Sequence, residues 1–470
     1  MLETDGNDAA LGQSPTGADL RRGLRDALSW AVARPAGGLV SVTVALPSAL
    51  SAGCAVPTTG FAWSRPSRRH ELAGYGAAAT VTATGEDRFD RLSDRHAGLV
   101  GNWESRRGAA SPDPRIAFAG FSFDPGEQPG PEWHGLANAQ LSVPAVLLQR
   151  RAGRAWLTFT VATGDEPSGR PEPDELLRHA RSLIDPQGER IPERGTPPVL
   201  FERVEAGDDW QSRLTAALTD IRRGRVQKLV VTRRVRYACS RSVDCSRVFR
   251  ALEAEHPDCA GYAVTLPGFA LLGVSPERLV SIDDGRVVVD ALAGTAPRHP
   301  DPGVDAELAA QMLNDGKILE EHRLVRDRIV EALAPTCLDL TAPPAPGVMR
   351  LPRVQHLWSP ITGRLRGDQN LLSLAARLHP TPAVGGSPVG AALAWLAARE
   401  GGRGWYTGAC GWLGPDGDGE LVVVLRCGVI NDRTVDLYAG AGIVAGSEPE
   451  RELAETDWKL MTMRGALQFG

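Results

Sequence analysis

Short apolar runs rich in β-branched residues, cut off by glycine and proline, constrain the fold of this 470-residue chain more than any other feature. LVSVTVALP (39–47), AAATVTAT (77–84), RIAFAGFSF (115–123) and AWLTFTVAT (155–163) each have the length of a strand and are bounded by turn formers. Two helices are expected among them, at 18–33 and 173–185, and the proline-rich stretches 164–173 and 186–199 read as loops. The second loop marks a seam before the C-terminal half. There, DDWQSRLTAALTDIRRG puts Trp210, Leu214, Ala217, Leu218 and Ile221 on one helical face, with Asp208 or Asp209 as cap and Gly224 as stop. A strand, VQKLVVTRRV, follows. Lys317 to Leu333 carries Ile318, His322, Val325 and Ile329 on one stripe, and a final helix is expected from Glu450 to Leu467. Strands and helices mix without regular βαβ alternation, which predicts an α+β fold rather than a doubly wound one.

Composition narrows the class of function. A net charge of −5 and a pI near 6.0 give no electrostatic reason to expect nucleic acid or anionic lipid as a partner. The seven cysteines are odd in number, widely spread and form no CxxC pair, which suggests neither a disulfide framework nor a zinc cage. Residues 1–17 are small, polar and acidic, without the basic and apolar regions of a signal peptide, and read as a disordered leader. No apolar run approaches the length that spans a bilayer. The expectation is a reduced, cytoplasmic protein with no membrane partner.

A few ionisable residues carry the chemistry. Glu321 and Glu455 lie on separate predicted helices, each with a lysine four residues away, Lys317 and Lys459. Taken alone they read as two ordinary surface ion pairs, each contributing about 0.3–0.5 kcal/mol. They also suit a Mg²⁺ site, because that ion takes one or two carboxylates plus water and substrate oxygens. Lys228 sits in a strand among apolar neighbours, either as a snorkelling residue or as a desolvated amine able to act as a base. Glu277, in LLGVSPERL, is its counterpart, since a carboxyl group in an apolar pocket holds its proton and can donate it. Arg426 ends the apolar strand run LVVVLRCG, where it reads as a sheet-edge residue or a carboxylate-binding fork. Gly440, Gly442 and Ala445 spell the start of a dinucleotide fingerprint, but no helix opens directly after them, which argues against a nicotinamide site.

These strings occur in a fixed order: QKLVVTRR, LLGVSPERL, DALAGTAPR, GKILEEHRLV, VQHLWSPITGRL, LHPTPAVGG, GWYTGACGW, LYAGAGIV and SEPERELAETDWK. From about Asp208 onward the chain resembles the chorismate-utilising enzymes, the family of anthranilate, salicylate and isochorismate synthases. The resemblance implies two large antiparallel sheets packed as a sandwich with helices outside, residues 18–200 and 201–470 forming one intertwined domain. It also implies Mg²⁺ on Glu321 and Glu455, with Glu452 contacting the ion through water. One departure is Ile318, a position often acidic in relatives. Lys228 would be the base and Glu277 the acid. Arg426, Tyr406 and the backbone at Gly440 would hold the enolpyruvyl carboxylate of chorismate, while Thr295 and Lys459 would surround the ring carboxylate. His379 and Ala383, in HPTPA, would border the substrate. Lyase-competent members typically carry threonine at the position of Ala383, so the alanine points to isochorismate synthase. Salicylate synthase is the alternative, followed by anthranilate-type chemistry with ammonia. Five intact ionisable groups speak against a catalytically silent binding homologue, and family resemblance implies a monomer.

Overall fold

The computed structural model describes residues 15–47, 54–126, 130–164, 172–185, 200–204 and 209–470. Most of the expected leader, the 186–199 loop and most of the 164–173 loop lie outside the described residues. The first helix, Pro15–Val32, begins inside the expected leader. Among the described residues, ten α-helices surround two large sheets, one of 13 and one of 10 strands, and every strand pairing is antiparallel except that Leu39–Leu46 runs parallel to Trp103–Arg106. No described helix is long and apolar enough to cross a membrane.

The period-two pattern of the strands decides which side chains meet. Phe61, Trp63, Tyr262 and Leu271 of the larger sheet pack against Phe118, Cys410 and Val422 of the smaller. The opposite face of the larger sheet presents Val235, Tyr237, Leu437 and Ala439 to helices through Leu20, Leu24, Leu176, Val248 and Leu460. Within this frame the strand Lys228–Cys239 pairs with Thr434–Ile443, placing Val230 opposite Gly442 and Thr232 opposite Gly440. These positions share a face with Tyr438, which belongs to the core between the sheets.

Two strands change sheets side by side. Phe269–Ser275 belongs to the larger sheet, and Arg278–Asp283, two residues later, to the smaller. Gly419–Val423 belongs to the smaller sheet and Cys427–Asn431 to the larger. The apolar run LVVVLRCG is therefore two strands, not the single one expected, and Arg426 sits in the step between them with a positive φ of 47°. The two steps are braced: Val423 donates across to Glu277 O at 3.1 Å, and Tyr262 Oη, from the adjacent strand Ala260–Leu266, donates to Leu425 O at 2.6 Å.

A buried ion pair ties the sheets together at another point. Arg65, from the larger sheet, donates through Nε to Glu420 Oε1 at 2.9 Å, and Arg278 approaches the same oxygen at 3.4 Å. Burial works to raise the Glu420 carboxyl, but the two guanidinium groups overcome it and hold it below the usual carboxylate range. The pair therefore supports the fold above the ordinary carboxylate pKa and loses that support as pH falls through the depressed one. Glu420→Ala is expected to cost about 3–5 kcal/mol in urea unfolding, because Arg65 would keep only Asp258 O at 3.2 Å and Arg278 only the distant Asp290 at 4.0 Å to offset two buried charges.

Candidate active site

The paired steps between sheets deliver Glu277 and Arg426 to one cavity at the end of the sandwich. The bulged strand Arg286–Pro297 adds Thr295, just beyond Gly294, where the register with Val354–Leu365 shifts. Glu321 comes from the helix Gly316–Leu333, whose start is capped by Asp315 accepting from the amides of Lys317 and Ile318. That helix buries His322, Val325 and Ile329 as the stripe predicts, leaving Glu321 one position off it and free to line the cavity. The last helix, Pro449–Leu467, contributes Glu455 and Lys459. Tyr406, Ala383 and Gly440 complete the same wall.

Three lysines lie on three carboxylates here. Lys228 Nζ is 3.0 Å from Glu321 Oε1, Lys459 Nζ 2.5 Å from Glu455 Oε1, and Lys317 Nζ 2.9 Å from Glu452 Oε1. Lys459 also donates to Gly440 O at 2.9 Å. Side chains drawn across the cavity leave it about 70 Å³ of free space. Gly442 makes the Lys228–Glu321 pair possible, since a Cβ there would lie 2.3 Å from Glu321 Oε1 and 3.1 Å from Lys228 Cε. Among the described residues no three His, Cys, Asp or Glu side chains gather into a ready metal cage. Glu321 and Glu455 nevertheless share one cavity wall as two hard oxygen donors, a set that suits an ion keeping several waters.

Glu277 is buried, and desolvation together with the nearby Asp290 raises its pKa to about 8, against the opposing pull of Lys228, Lys459 and Arg426. It is thus a protonated acid at neutral pH. Arg426 Nη2 lies 3.2 Å from His356 Nε2, and His356 Nδ1 lies 3.2 Å from Gly294 O and 3.1 Å from Thr295 Oγ1. A guanidinium can only donate, so His356 accepts at Nε2 and carries its proton on Nδ1. Burial, with Arg426 and Lys459 beside it, keeps this imidazole neutral by pushing its pKa well below the ordinary value. Burial likewise pushes the Tyr406 phenol up, keeping it a hydrogen-bond donor.

A larger cavity, about 760 Å³, lies on the other side of Thr232 and Arg403. Its arginines are engaged: Arg213 and Arg403 pair with Glu400, and Arg234 with Glu132. Its carboxylates Glu132 and Glu400 serve those arginines, whereas the smaller cavity holds the protonated Glu277.

Comparison with known proteins places the chain in a family. Residues 37–468 match the family described as chorismate binding enzyme. The chain belongs to the chorismate binding enzyme family. It is 34% identical over 418 residues to a salicylate biosynthesis isochorismate synthase of Pseudomonas aeruginosa, covering 86% of this chain and 84% of that one. It is 31% identical to an isochorismate synthase of Bacillus subtilis, covering 87% of each. The solved menaquinone-specific isochorismate synthase of Escherichia coli superposes with a TM-score of 0.72 at 26% identity, over 96% of this chain and 100% of that one.

Within this chorismate binding enzyme, Glu277, Thr295, Glu321, Ala383, Tyr406, Arg426, Gly440, Glu455 and Lys459 line one cavity. Lys228 is one contact behind the wall, on Glu321, and Glu452 is behind Glu455's helix face on Lys317. His379 does not reach the cavity. Its Nε2 contacts Phe123 O at 3.1 Å and its ring packs on Phe121 and Phe123, so it props the HPTPA turn. Sequence reasoning missed His356 and Gly442. His356 sits inside the quoted string VQHLWSPITGRL, and Gly442 was set aside with a nucleotide decoy, although strand alternation puts it on the face of Lys228 and Val230. Gly442→Ala is expected to keep the melting temperature within a few degrees while lowering turnover of chorismate by about 10²-fold, through displacement of Glu321.

Proposed function

We propose that this enzyme converts chorismate to isochorismate with Mg²⁺ as its metal ion. The observation that carries the reading is Glu277, a dry carboxyl protonated up to about pH 8, sharing its cavity with the Arg426 fork and the Glu321–Glu455 carboxylates. Chorismate is a dianion, and this cavity offers two cationic anchors. Arg426, held by neutral His356 and beside the Tyr406 hydroxyl, suits the enolpyruvyl carboxylate, and Lys459 with Thr295 suits the ring carboxylate. When bound between Glu321 and Glu455, Mg²⁺ would supply a hard positive charge for that ring carboxylate.

Water then attacks ring C2 as the C4 hydroxyl departs. Lys228 takes the proton of the attacking water and Glu277 gives its proton to the leaving hydroxyl, so one water enters and one leaves. Lys228 serves as the base once its pair with Glu321 opens and its ammonium gives a proton to solvent, leaving the neutral amine to face the attacking water. Ala383 presents only a methyl group to the cavity, with no hydroxyl to help hold the enolpyruvyl group for loss of pyruvate. That supports a reaction that stops at isochorismate.

Chromatography of products from chorismate and Mg²⁺ tests the reading. Isochorismate with little salicylate is expected; salicylate as the main product would overturn it, as would anthranilate when ammonium is supplied. Glu321→Gln and Glu455→Gln should each abolish turnover with folding intact, and EDTA should inhibit reversibly. Glu277→Gln should lose about 10²–10⁴-fold in rate. In the native enzyme kcat/KM should fall above about pH 8, as Glu277 loses the proton it donates, and that alkaline limb should vanish in Glu277→Gln.

A further inference from the structure

Resting on the reading of Glu321 and Glu455 as cation ligands, we propose that Lys317 selects Mg²⁺ over larger divalent ions by holding the Glu452 carboxylate away from the metal. Glu452 and Glu455 lie one turn apart on the last helix, yet only Glu455 lines the cavity. Glu452 is held instead by Lys317, whose ammonium lies 2.9 Å from its Oε1, with the Ser447 hydroxyl as a second, neutral partner. That ammonium is attracted by Glu452 first and by Glu321 and Glu455 as well, so all three carboxylates border one small region. Glu452 itself is 3% exposed, and after desolvation the charge of Glu455 is the main cause raising its pKa.

Lys317 leaves the backbone from a fixed point. Asp315 caps its amide at 2.8 Å, and the next side chain, Ile318, fills the notch at Gly294, where a Cβ would come within 2.4 Å of Ile318 Cγ2. An apolar residue in that notch adds no further carboxylate to the region. The stem of Lys317 then passes Gly446, with Cδ 3.8 Å from the site a Cβ would occupy there. The lysine is therefore a pre-positioned clamp and not a loose surface charge.

The chemical consequence follows from ion size. Mg²⁺ prefers an octahedron with few carboxylates and several waters, whereas Ca²⁺ takes six to eight oxygens, often including bidentate carboxylates. Two protein carboxylates suit the first ion. A third, released from Lys317, would supply the additional oxygens that favour the second.

Calorimetric titration of the full chain with Mg²⁺ and with Ca²⁺, without substrate, tests the proposal. Lys317→Met is expected to shift the ratio of Ca²⁺ to Mg²⁺ affinity toward Ca²⁺ by about tenfold. Loss of positive charge alone would strengthen both ions together and leave the ratio unmoved. The double variant Lys317→Met/Glu452→Gln should return the ratio to the native value, and Lys317→Arg should keep it. A ratio within about twofold of native in Lys317→Met would overturn the proposal. If that variant fails to fold, Glu452→Gln decides. Mg²⁺ affinity within about threefold of native supports a held-off carboxylate, and a loss beyond about tenfold makes Glu452 a direct ligand and overturns it. A native protein that binds neither ion overturns the metal reading itself, and an unchanged titration of Glu321→Gln would do so separately.

Discussion

Two neighbouring strands leave one sheet for the other at the same level, and the site depends on that paired step. A sandwich normally fills the space between its sheets with apolar side chains. Where both strands step across, side chains at the crossing point neither outward nor into a regular ladder, and the gap accepts polar groups. Glu277 occupies one step and Arg426 the other, with their backbones braced by Val423 and Tyr262. Glu277 is dry because the sheets close around it, which turns an ordinary carboxyl into one that keeps its proton to about pH 8, while Arg426 is half-buried.

Placing charge in a dry gap is costly unless each charge has a partner. Here the partners come from other elements. Lys228 reaches Glu321 across a glycine strand, Lys317 reaches Glu452, and Lys459 reaches Glu455 and Gly440 O. Arg426 rests on a neutral imidazole, so it keeps its donors for a ligand without facing a competing cation. Each lysine–carboxylate pair is satisfied in itself.

Much of this was legible in the sequence. β-branched runs and their turn residues located strands, the stripe on Lys317 to Leu333 predicted which face of that helix is buried, and the short motifs named nine residues that share one cavity. The failures have specific physical causes. LVVVLRCG reads as one strand because apolar periodicity is silent about a change of sheet, and only the pairing partners reveal the step at Arg426. His379, expected to border the substrate, lies outside the cavity because Phe121 and Phe123 enclose its ring. Gly442 looked like part of a phosphate loop because a glycine has no side chain to declare which face it serves.

The sequence by itself determined the element types, the α+β class and the residue kinds available for chemistry, because those rest on local periodicity and on side-chain functional groups. Tertiary structure alone decided that Glu277 is neutral, that His356 orients the arginine, and that Lys317 pairs with Glu452. Protonation, tautomer and pairing depend on burial and on groups distant in the chain. The positions from 277 to 426 become neighbours only when two strands cross between the sheets together.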